Sequence, residues 1–390
     1  MSVNWEKIRD EEFASLKSSV YLKAAGGSPL SYSAYKFGST YLKDMYEKGD
    51  LFWDDYFIQI KEAKRLIASY FGVKPNEIAF LINTSSSMYV ASKVIEKGGI
   101  LYPKGEFPSS IHIFKKSGFE CFPIEAKDQI YHIKDFKNKI TSTIKYIIHS
   151  HVQYLTGFQQ DINELGNLSK NENLTSILNA TQSFGAFPIE LKKNKIDIAV
   201  ASGLKWACCG YGIGILYVNE ELLEKKDLPI SSWLSVSDPY RMDNDNMNCI
   251  KETGSLDGFG GTPNFPAILT LLGGLSLIKR IGNGDFNKGI NLISRRIIKL
   301  TDFFLEKIKP LNFKIITPLE KVYRSGIITI EHKKTEIIFK ELLKHSIYIS
   351  IRNYPELRKK TLLRFSFHYY NNLQDIEKAI DILKMFKENE

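Results

Sequence analysis

Three short apolar runs in the middle of the chain each end in a cluster of polar side chains. The runs have the length and the isoleucine and valine content of buried strands, and they cover residues 144–149, 175–178 and 196–201. Polar side chains follow each run directly, at residues 150–154, 179–182 and 202–205. Helical segments alternate with these strands, which predicts βαβ units and a mainly parallel sheet. Because parallel strands place their carboxyl ends at one edge, the three clusters are predicted to converge on one site.

Lys205 ends the third cluster and precedes a segment with glycines at 210, 212 and 214. Glycines allow the backbone to turn tightly and to approach another group closely. A lysine held in such a setting can lose its proton and act as an amine nucleophile that forms a Schiff base with a carbonyl compound. Taken alone, the segment favours a second interpretation, a surface lysine that follows a strand.

The composition is that of a soluble globular protein, with 390 residues, 43% hydrophobic and 25% charged. The net charge is +9, but acidic residues are interspersed with the basic ones, so no run of like charges indicates a nucleic-acid-binding tail. We interpret the excess of basic residues as a solvated surface with a positive cleft for an anionic cofactor or substrate. The four cysteines lack metal-ligand spacing and are predicted to be reduced thiols, and no metal site is expected.

The N-terminus is charged and lacks the apolar core of a signal peptide. The longest apolar stretch, residues 267–278, is too short to cross a bilayer. We therefore predict a cytoplasmic location and no membrane partner.

The pattern predicts three regions along the chain. Residues 1–55 lack sustained periodicity and are expected to form a segment that contributes to a cleft. Residues 56–275 are predicted to form the large α/β domain, with a helix over 62–70 and a strand over 77–83. A long helical region over 266–309 leads into a smaller α+β domain at 276–390.

Three further segments are candidates for binding anions. The hydroxyl run Thr84-Ser-Ser-Ser87 follows a strand and opens a helix, where it acts either as a helix cap or as a phosphate cradle. The glycine-rich loop at 257–264, which contains Thr262, is either a flexible connector or a second anion site. Arg364 lies in an apolar strand, so its charge requires either a substrate carboxylate or a structural acidic partner.

In this order, the motifs resemble those of fold-type I pyridoxal-phosphate enzymes of the class V aminotransferase group. That group includes serine–pyruvate aminotransferases, cysteine desulfurases, kynureninases and isopenicillin-N epimerases. The resemblance extends from Tyr21 to the last helix. It implies a large domain with a mainly parallel sheet between layers of helices, a smaller C-terminal α+β domain, and pyridoxal 5′-phosphate as cofactor. It also implies a homodimer with shared active sites.

The resemblance assigns roles to individual residues. Lys205 matches the lysine that holds the cofactor as a Schiff base, and Arg364 matches the arginine that binds the α-carboxylate of the substrate. The remaining positions match cofactor contacts: Thr84, Ser85 and Ser202 at the phosphate, Phe107 on the pyridine ring, Tyr154 and Gln182 near the phenolic oxygen, Asn179 at the pyridine nitrogen, and Thr262 at the phosphate of the neighbouring subunit.

Two positions depart from the family pattern. Leu204 precedes the lysine where the family has a polar residue, and Asn179 stands where the family has an aspartate. A carboxylate keeps the pyridine nitrogen protonated, whereas a neutral amide does not stabilise its positive charge. We therefore expect a weaker electron sink than in typical aminotransferases.

The function that the resemblance implies first is an aminotransferase, which acts on an amino acid or amine with a keto-acid acceptor. A lyase or an epimerase of the same family is the alternative, followed by a homologue that binds the cofactor without turnover. A cysteine desulfurase requires a nucleophilic cysteine shortly before the carboxylate-binding arginine. Residues 346–363 contain no cysteine, so this activity is excluded.

Overall fold

The computed structural model describes residues 3–224, 228–353 and 361–387. Its α-helices are, in chain order, α1 (Trp5–Glu12), α2 (Tyr32–Lys48), α3 (Trp53–Phe71), α4 (Thr84–Val94), α5 (Pro108–Lys116), α6 (Ile133–Lys137), α7 (Ile162–Asn171), α8 (Glu220–Glu224), α9 (Phe265–Ile281), α10 (Phe286–Ile308), α11 (Thr335–Lys344) and α12 (Leu373–Lys384). Its strands are β1 (Val20–Tyr21), β2 (Ile78–Leu81), β3 (Gly99–Pro103), β4 (Glu120–Ile124), β5 (Ile144–Ser150), β6 (Thr175–Asn179), β7 (Ile198–Ala201), β8 (Gly214–Val218), β9 (Lys314–Ile315), β10 (Ile327–Glu331), β11 (Ile347–Tyr348), β12 (Ser350–Asn353) and β13 (Thr361–Ser366).

The large part of the molecule is built on a seven-stranded sheet of order β2-β8-β7-β6-β5-β3-β4. Strands β3 to β7 pair in parallel, and β8 is antiparallel to both of its neighbours. Successive residues of β2 enter different core clusters, Ile78 and Phe80 on one face and Ala79 and Leu81 on the other. A sheet covered on both faces requires nearly continuous apolar strands, and this is the pattern that the sequence shows. The mainly parallel α/β fold is confirmed.

The C-terminal part is built on a second, antiparallel sheet of order β12-β13-β10-β9. Helices α11 and α12 pack against it, and so does the second half of α10. The N-terminal strand β1 pairs in parallel with β11, so Val20 and Leu22 belong to the core of this small part. An N-terminal segment therefore packs within the small part of the molecule.

The long helical region predicted over 266–309 is two helices, α9 and α10, which meet at an angle of 80°. The break occurs because Asn283 and Gly284 adopt positive φ angles of 56° and 92°, which no α-helix accommodates. Among the described residues, no single helix is long and apolar enough to span a membrane, and α9 and α10 meet that criterion only as this bent pair.

The three predicted regions differ from the structure in detail. Residues 1–55 contain α1 and α2 rather than irregular chain, although Ala25 and Gly26 do reach the cleft. Residue 275 lies inside α9, whereas the packing changes from the large core to the small core within α10, between Ile297 and Leu300. We therefore propose that the division between the two parts lies in α10.

An ion pair joins the N-terminal helix α1 to α12. Arg9 donates from Nη1 to Oδ2 of Asp375 at 2.7 Å and from Nη2 to Oδ1 at 3.0 Å. The side chains are only 11% and 4% exposed, and Nη1 also donates to the carbonyl oxygen of Tyr370. Removing one member of such a pair leaves a buried charge without a partner.

We expect Asp375→Asn to lower the free energy of unfolding by about 3 kcal/mol, because Arg9 loses its charged acceptor. Chemical denaturation measures this change. Asp381→Asn on the same helix is the matched control, since Asp381 is 66% exposed where it pairs with Lys384, and its effect should stay within about 0.5 kcal/mol. Equal effects of the two substitutions would contradict the structural role of the buried pair.

Candidate active site

The structure brings the three polar clusters to one cavity of about 470 Å³. Strands β5, β6 and β7 run in parallel and end side by side, at Ser150, Asn179 and Ala201. The residues that follow these ends line the cavity: Ser150 and Tyr154 from the first cluster, Asn179, Thr181 and Gln182 from the second, and Leu204 and Lys205 from the third. The topology of the sheet therefore assembles the site that the sequence predicts.

Other elements complete the walls. The start of α4, the start of α5, the N-terminal segment, the loop before β8 and the small sheet supply the remaining lining residues: Ala25, Gly26, Asn83, Thr84, Ser85, Phe107, Pro108, Ser109, Tyr211, Arg352 and Arg364. The cavity thus lies where the large and small parts of the molecule meet.

Lys205 keeps part of its surface open to the cavity and is otherwise enclosed by protein. This enclosure, together with the charges of Arg364 and Arg352, lowers the pKa of its amine to about 7. Its Nζ atom lies 5.7 Å from the centroid of the Phe107 ring. A lysine in these surroundings carries a substantial fraction of neutral amine near pH 7, so it is not a solvated surface lysine.

Phe107 presents its ring to the cavity and meets Tyr154 edge to face, with ring centroids 5.2 Å apart. The preceding residue, Glu106, fixes this position. Its carboxylate accepts hydrogen bonds from Ser150 N and Oγ, both at 2.6 Å, and from Gln153 Nε2 at 2.7 Å. Burial raises the pKa of Glu106. A buried carboxylate therefore ties the start of α5 to the end of β5, a role that the sequence did not reveal.

The amino end of α4 faces the cavity with free hydrogen-bond donors. Asn83 is the helix cap, since its side chain accepts from Ser86 N at 2.9 Å. The first N–H groups of a helix have no acceptor within it, and together with the helix dipole they favour an anion. Because the cap is Asn83 rather than the hydroxyl run, Thr84 and Ser85 are available to a ligand. Thr84 Oγ1 already contacts Thr181 Oγ1 at 3.1 Å, a neighbour that the sequence did not single out.

Two amide side chains are oriented by the protein itself. Asn179 accepts from Thr181 N at 3.0 Å and donates to Ser110 Oγ at 2.9 Å. Gln182 donates to the carbonyl oxygen of Ala25 at 3.0 Å and accepts from Trp206 Nε1 at 3.2 Å. Asn179 thus presents a fixed, neutral amide to the cavity.

Arg364 is 1% exposed and reaches the cavity from β13. It donates from Nη1 to the carbonyl oxygen of Tyr154 at 2.6 Å, whereas its Nε has no partner. Burial lowers its pKa to about 9, with a further contribution from Arg352, so the guanidinium stays charged at pH 7. Within the described residues no carboxylate pairs with Arg364, and its binding of a substrate carboxylate stays a prediction.

Two predicted site residues do not line the cavity. Ser202 is buried and donates its hydroxyl hydrogen to the carbonyl oxygen of Ile213 at 2.9 Å, so the predicted phosphate contact is not supported. Thr262 is exposed on the surface of the chain, and its contact with a neighbouring subunit stays a prediction.

His368 links the lysine loop to the small part of the molecule. Its ring stacks on Trp206 at a centroid distance of 5.5 Å and an angle of 12°, and Nε2 lies 3.1 Å from the carbonyl oxygen of Trp206. Burial lowers its pKa to about 3, so the ring is neutral and Nε2 donates to that carbonyl. This aromatic stack therefore fixes Trp206, the residue after Lys205, against the small part of the molecule.

These features fit pyridoxal phosphate. The amino end of α4 suits a phosphate, the exposed face of Phe107 suits an aromatic ring, and the low-pKa amine of Lys205 suits a carbonyl carbon. The model of the family Aminotransferase class-V matches residues 20–379. The chain belongs to this family. The predicted family and the predicted cofactor, pyridoxal 5′-phosphate, are confirmed.

Curated relatives of the chain carry different activities in their names. A probable cysteine desulfurase of Pyrococcus abyssi is 25% identical over 346 residues, covering 83% of this chain and 82% of the relative. A kynureninase of Bacillus cereus is 24% identical, covering 97% and 91%. An uncharacterized aminotransferase of Bacillus subtilis is 21% identical, covering 95% of each.

Among solved structures, the apo cysteine desulfurase of Thermococcus onnurineus NA1 matches with a TM-score of 0.87 at 22% identity, covering 99% of this chain and 98% of that one. The complex of the cystine C-S lyase C-DES with cysteine persulfide matches with a TM-score of 0.85 at 17% identity, covering 96% and 99%. At these identities the likenesses establish the fold, which is that of fold-type I pyridoxal-phosphate enzymes as predicted.

We expect the amine of Lys205 in cofactor-free protein to titrate near pH 7, with the reactive neutral form increasing as the pH rises through that value. Brief acetylation at a series of pH values, followed by peptide mass spectrometry, measures this midpoint. Arg364→Met should move the midpoint upward, since it removes a neighbouring positive charge. A midpoint near the ordinary lysine value of 10.5 would contradict the enclosed geometry.

Proposed function

We propose that the protein is an aminotransferase that moves the amino group of an amino acid or amine to a keto acid. The observation that supports this choice is the set of proton-transferring groups in the cavity. Among the described lining residues, the titratable side chains are one amine, two phenols and two guanidinium groups: Lys205, Tyr154, Tyr211, Arg352 and Arg364. Of these groups, the amine of Lys205 is the one with a pKa of about 7. The site thus has one base suited to neutral pH.

The cofactor would be held by residues from several elements. We propose that Thr84, Ser85 and the amino end of α4 hold its phosphate, that Phe107 packs on its ring, and that Asn179 lies at the ring nitrogen. Gln182 and Tyr154 are proposed at its phenolic oxygen. When bound, pyridoxal phosphate withdraws electrons from the Cα atom of an attached amino acid and so acidifies the Cα–H bond.

The protein side chains then determine the outcome. Arg364 binds the α-carboxylate and so fixes the orientation of the Cα–H bond. Lys205 removes the proton from Cα and returns it to a neighbouring carbon on the same face. Transamination requires only this single base, whereas epimerisation requires a second base on the opposite face. Apart from the phenols of Tyr154 and Tyr211, the lining residues that the structure describes include no side chain to serve as that second base, since they contain no histidine, aspartate, glutamate or cysteine.

A lyase is the second candidate, and Tyr154 is the observation that favours it. Burial raises the pKa of its phenol, so the hydroxyl stays protonated at neutral pH and is able to donate a proton to a departing group. Its ring lies against Phe107, at the side of the cavity where Arg364 binds its backbone carbonyl.

The visible absorbance of the purified protein separates the candidates. For an aminotransferase, amino acids should bleach the absorbance of the bound cofactor and pyruvate should restore it, without release of ammonia or sulfide. Release of ammonia or sulfide would instead identify a lyase. Lys205→Ala should abolish the response, and a wild-type protein that takes up no cofactor would refute the proposal.

Asn179→Asp should raise the rate of the first half-reaction by about tenfold or more, because a carboxylate stabilises positive charge at the ring nitrogen. Thr181 N and the Ser110 hydroxyl, the present partners of Asn179, are both able to donate to a carboxylate. The decay of the cofactor absorbance after addition of amino acid alone measures this rate. Asn179→Ala serves as the comparison, and an unchanged rate in Asn179→Asp would eliminate the explanation based on the electron sink.

We further propose that the protein acts in the cytoplasm as a homodimer in which Thr262 contacts the cofactor phosphate of the other subunit. The exposed position of Thr262 on the single chain supports this arrangement.

A further inference from the structure

Arg352 lies beside Arg364 on one face of the small sheet, and both line the cavity. In the register of β12 and β13, Ser350 pairs with Arg364 and Arg352 pairs with Leu362. Side chains alternate between faces along a strand, so positions 350, 352, 362 and 364 share a face. Arg352 is therefore a diagonal neighbour of Arg364, and residues so placed are typically about 7–8 Å apart at the backbone. The sheet therefore holds two guanidinium groups together at the cavity wall.

The two arginines differ in how they are held. Arg364 is anchored by the carbonyl oxygen of Tyr154 and by Ser350 Oγ. Within the described part of the chain, Arg352 makes one side-chain hydrogen bond, from Nη1 to the carbonyl oxygen of the adjacent Ile351 at 2.9 Å. Its side chain is partly exposed, and the remaining guanidinium donors are available to a ligand in the cavity.

No described carboxylate in the cavity wall balances these charges. Glu106 influences the phenol of Tyr154, but its carboxylate is buried outside the lining and is occupied by Ser150 and Gln153. Cations that lie together in an enclosed site repel one another, and each pays a desolvation penalty. A bound anionic ligand would reduce the repulsion between the cations and offset the cost of their desolvation. With Arg364 assigned to the α-carboxylate, Arg352 is left to bind a second anion.

We propose that Arg352 binds an acidic group on the side chain of the substrate, so that the preferred substrate is an amino acid with a second carboxylate. This inference rests on the proposed function, in which Arg364 binds the α-carboxylate. It differs from a shared clamp, in which both arginines would grip the same carboxylate and the side chain of the substrate would make no difference.

The test compares pairs of ligands that differ only in charge. We expect the holoenzyme to bind aspartate or glutamate about tenfold or more tightly than asparagine or glutamine, measured by the change in cofactor absorbance. The acid-to-amide ratio should fall to near one in Arg352→Gln and should be largely retained in Arg352→Lys, which keeps the charge. Arg295→Gln, at an exposed arginine of α10, is the matched control and should keep the full ratio.

Calorimetric titration with succinate or glutarate, compared with butyrate, tests the same site without any reaction. If dicarboxylates bind in an Arg352-dependent way but no amino acid alters the cofactor absorbance, the two-anion site stands and the proposed function fails. If amino acids react but acids and amides bind alike, or the acid preference survives in Arg352→Gln, the proposed function stands and this inference is overturned. Circular dichroism and cofactor content confirm that each variant is folded.

Discussion

Three cationic side chains share one cavity, and no described carboxylate in its wall neutralises them. Lys205 lies in the loop after β7, whereas Arg352 and Arg364 lie in the small sheet. The two arginines lower the pKa of Lys205, and Arg352 lowers that of Arg364, in each case in addition to burial. For the arginines the consequence is small, because the pKa of Arg364 remains at about 9. For the lysine, burial and the two arginines together lower the pKa to about 7, which supplies a neutral amine under ordinary conditions. Burial and the neighbouring positive charges together activate the amine, and the same positive charges make the cavity a receptor for anions.

Holding these charges together requires that the two parts of the molecule be firmly joined. The lysine loop is fixed to the small part by the stack of Trp206 on His368 and by the hydrogen bond between them. Helix α10 contributes its first half to the large core and its second half to the small core. The buried pair of Arg9 and Asp375 ties the N-terminal helix to α12. Movement between the parts would separate Arg364 from Lys205, so this packing maintains the electrostatics of the site.

Much of the site could be predicted from local sequence patterns. The apolar runs before Ser150 and Asn179 identified two strands whose ends line the cavity, and the hydroxyl run identified the start of α4. Other features were missed because they depend on contacts between distant segments. Glu106 acquires its role only through Ser150 and Gln153. Ser202 was expected at the phosphate because it matches a phosphate contact of the family, yet its hydroxyl donates to the carbonyl oxygen of Ile213.

The sequence by itself determined the order of strands and helices, the location of Lys205 after a strand, and the motifs that place the chain in its family. These properties follow from the local pattern of apolar, polar and turn-forming residues and from their order along the chain. Only the tertiary structure decided the protonation of Lys205 and the presence of Arg352 at the same cavity. Both depend on enclosure and on distances between charges from distant segments of the chain, and neither quantity exists until the two parts of the molecule have packed together.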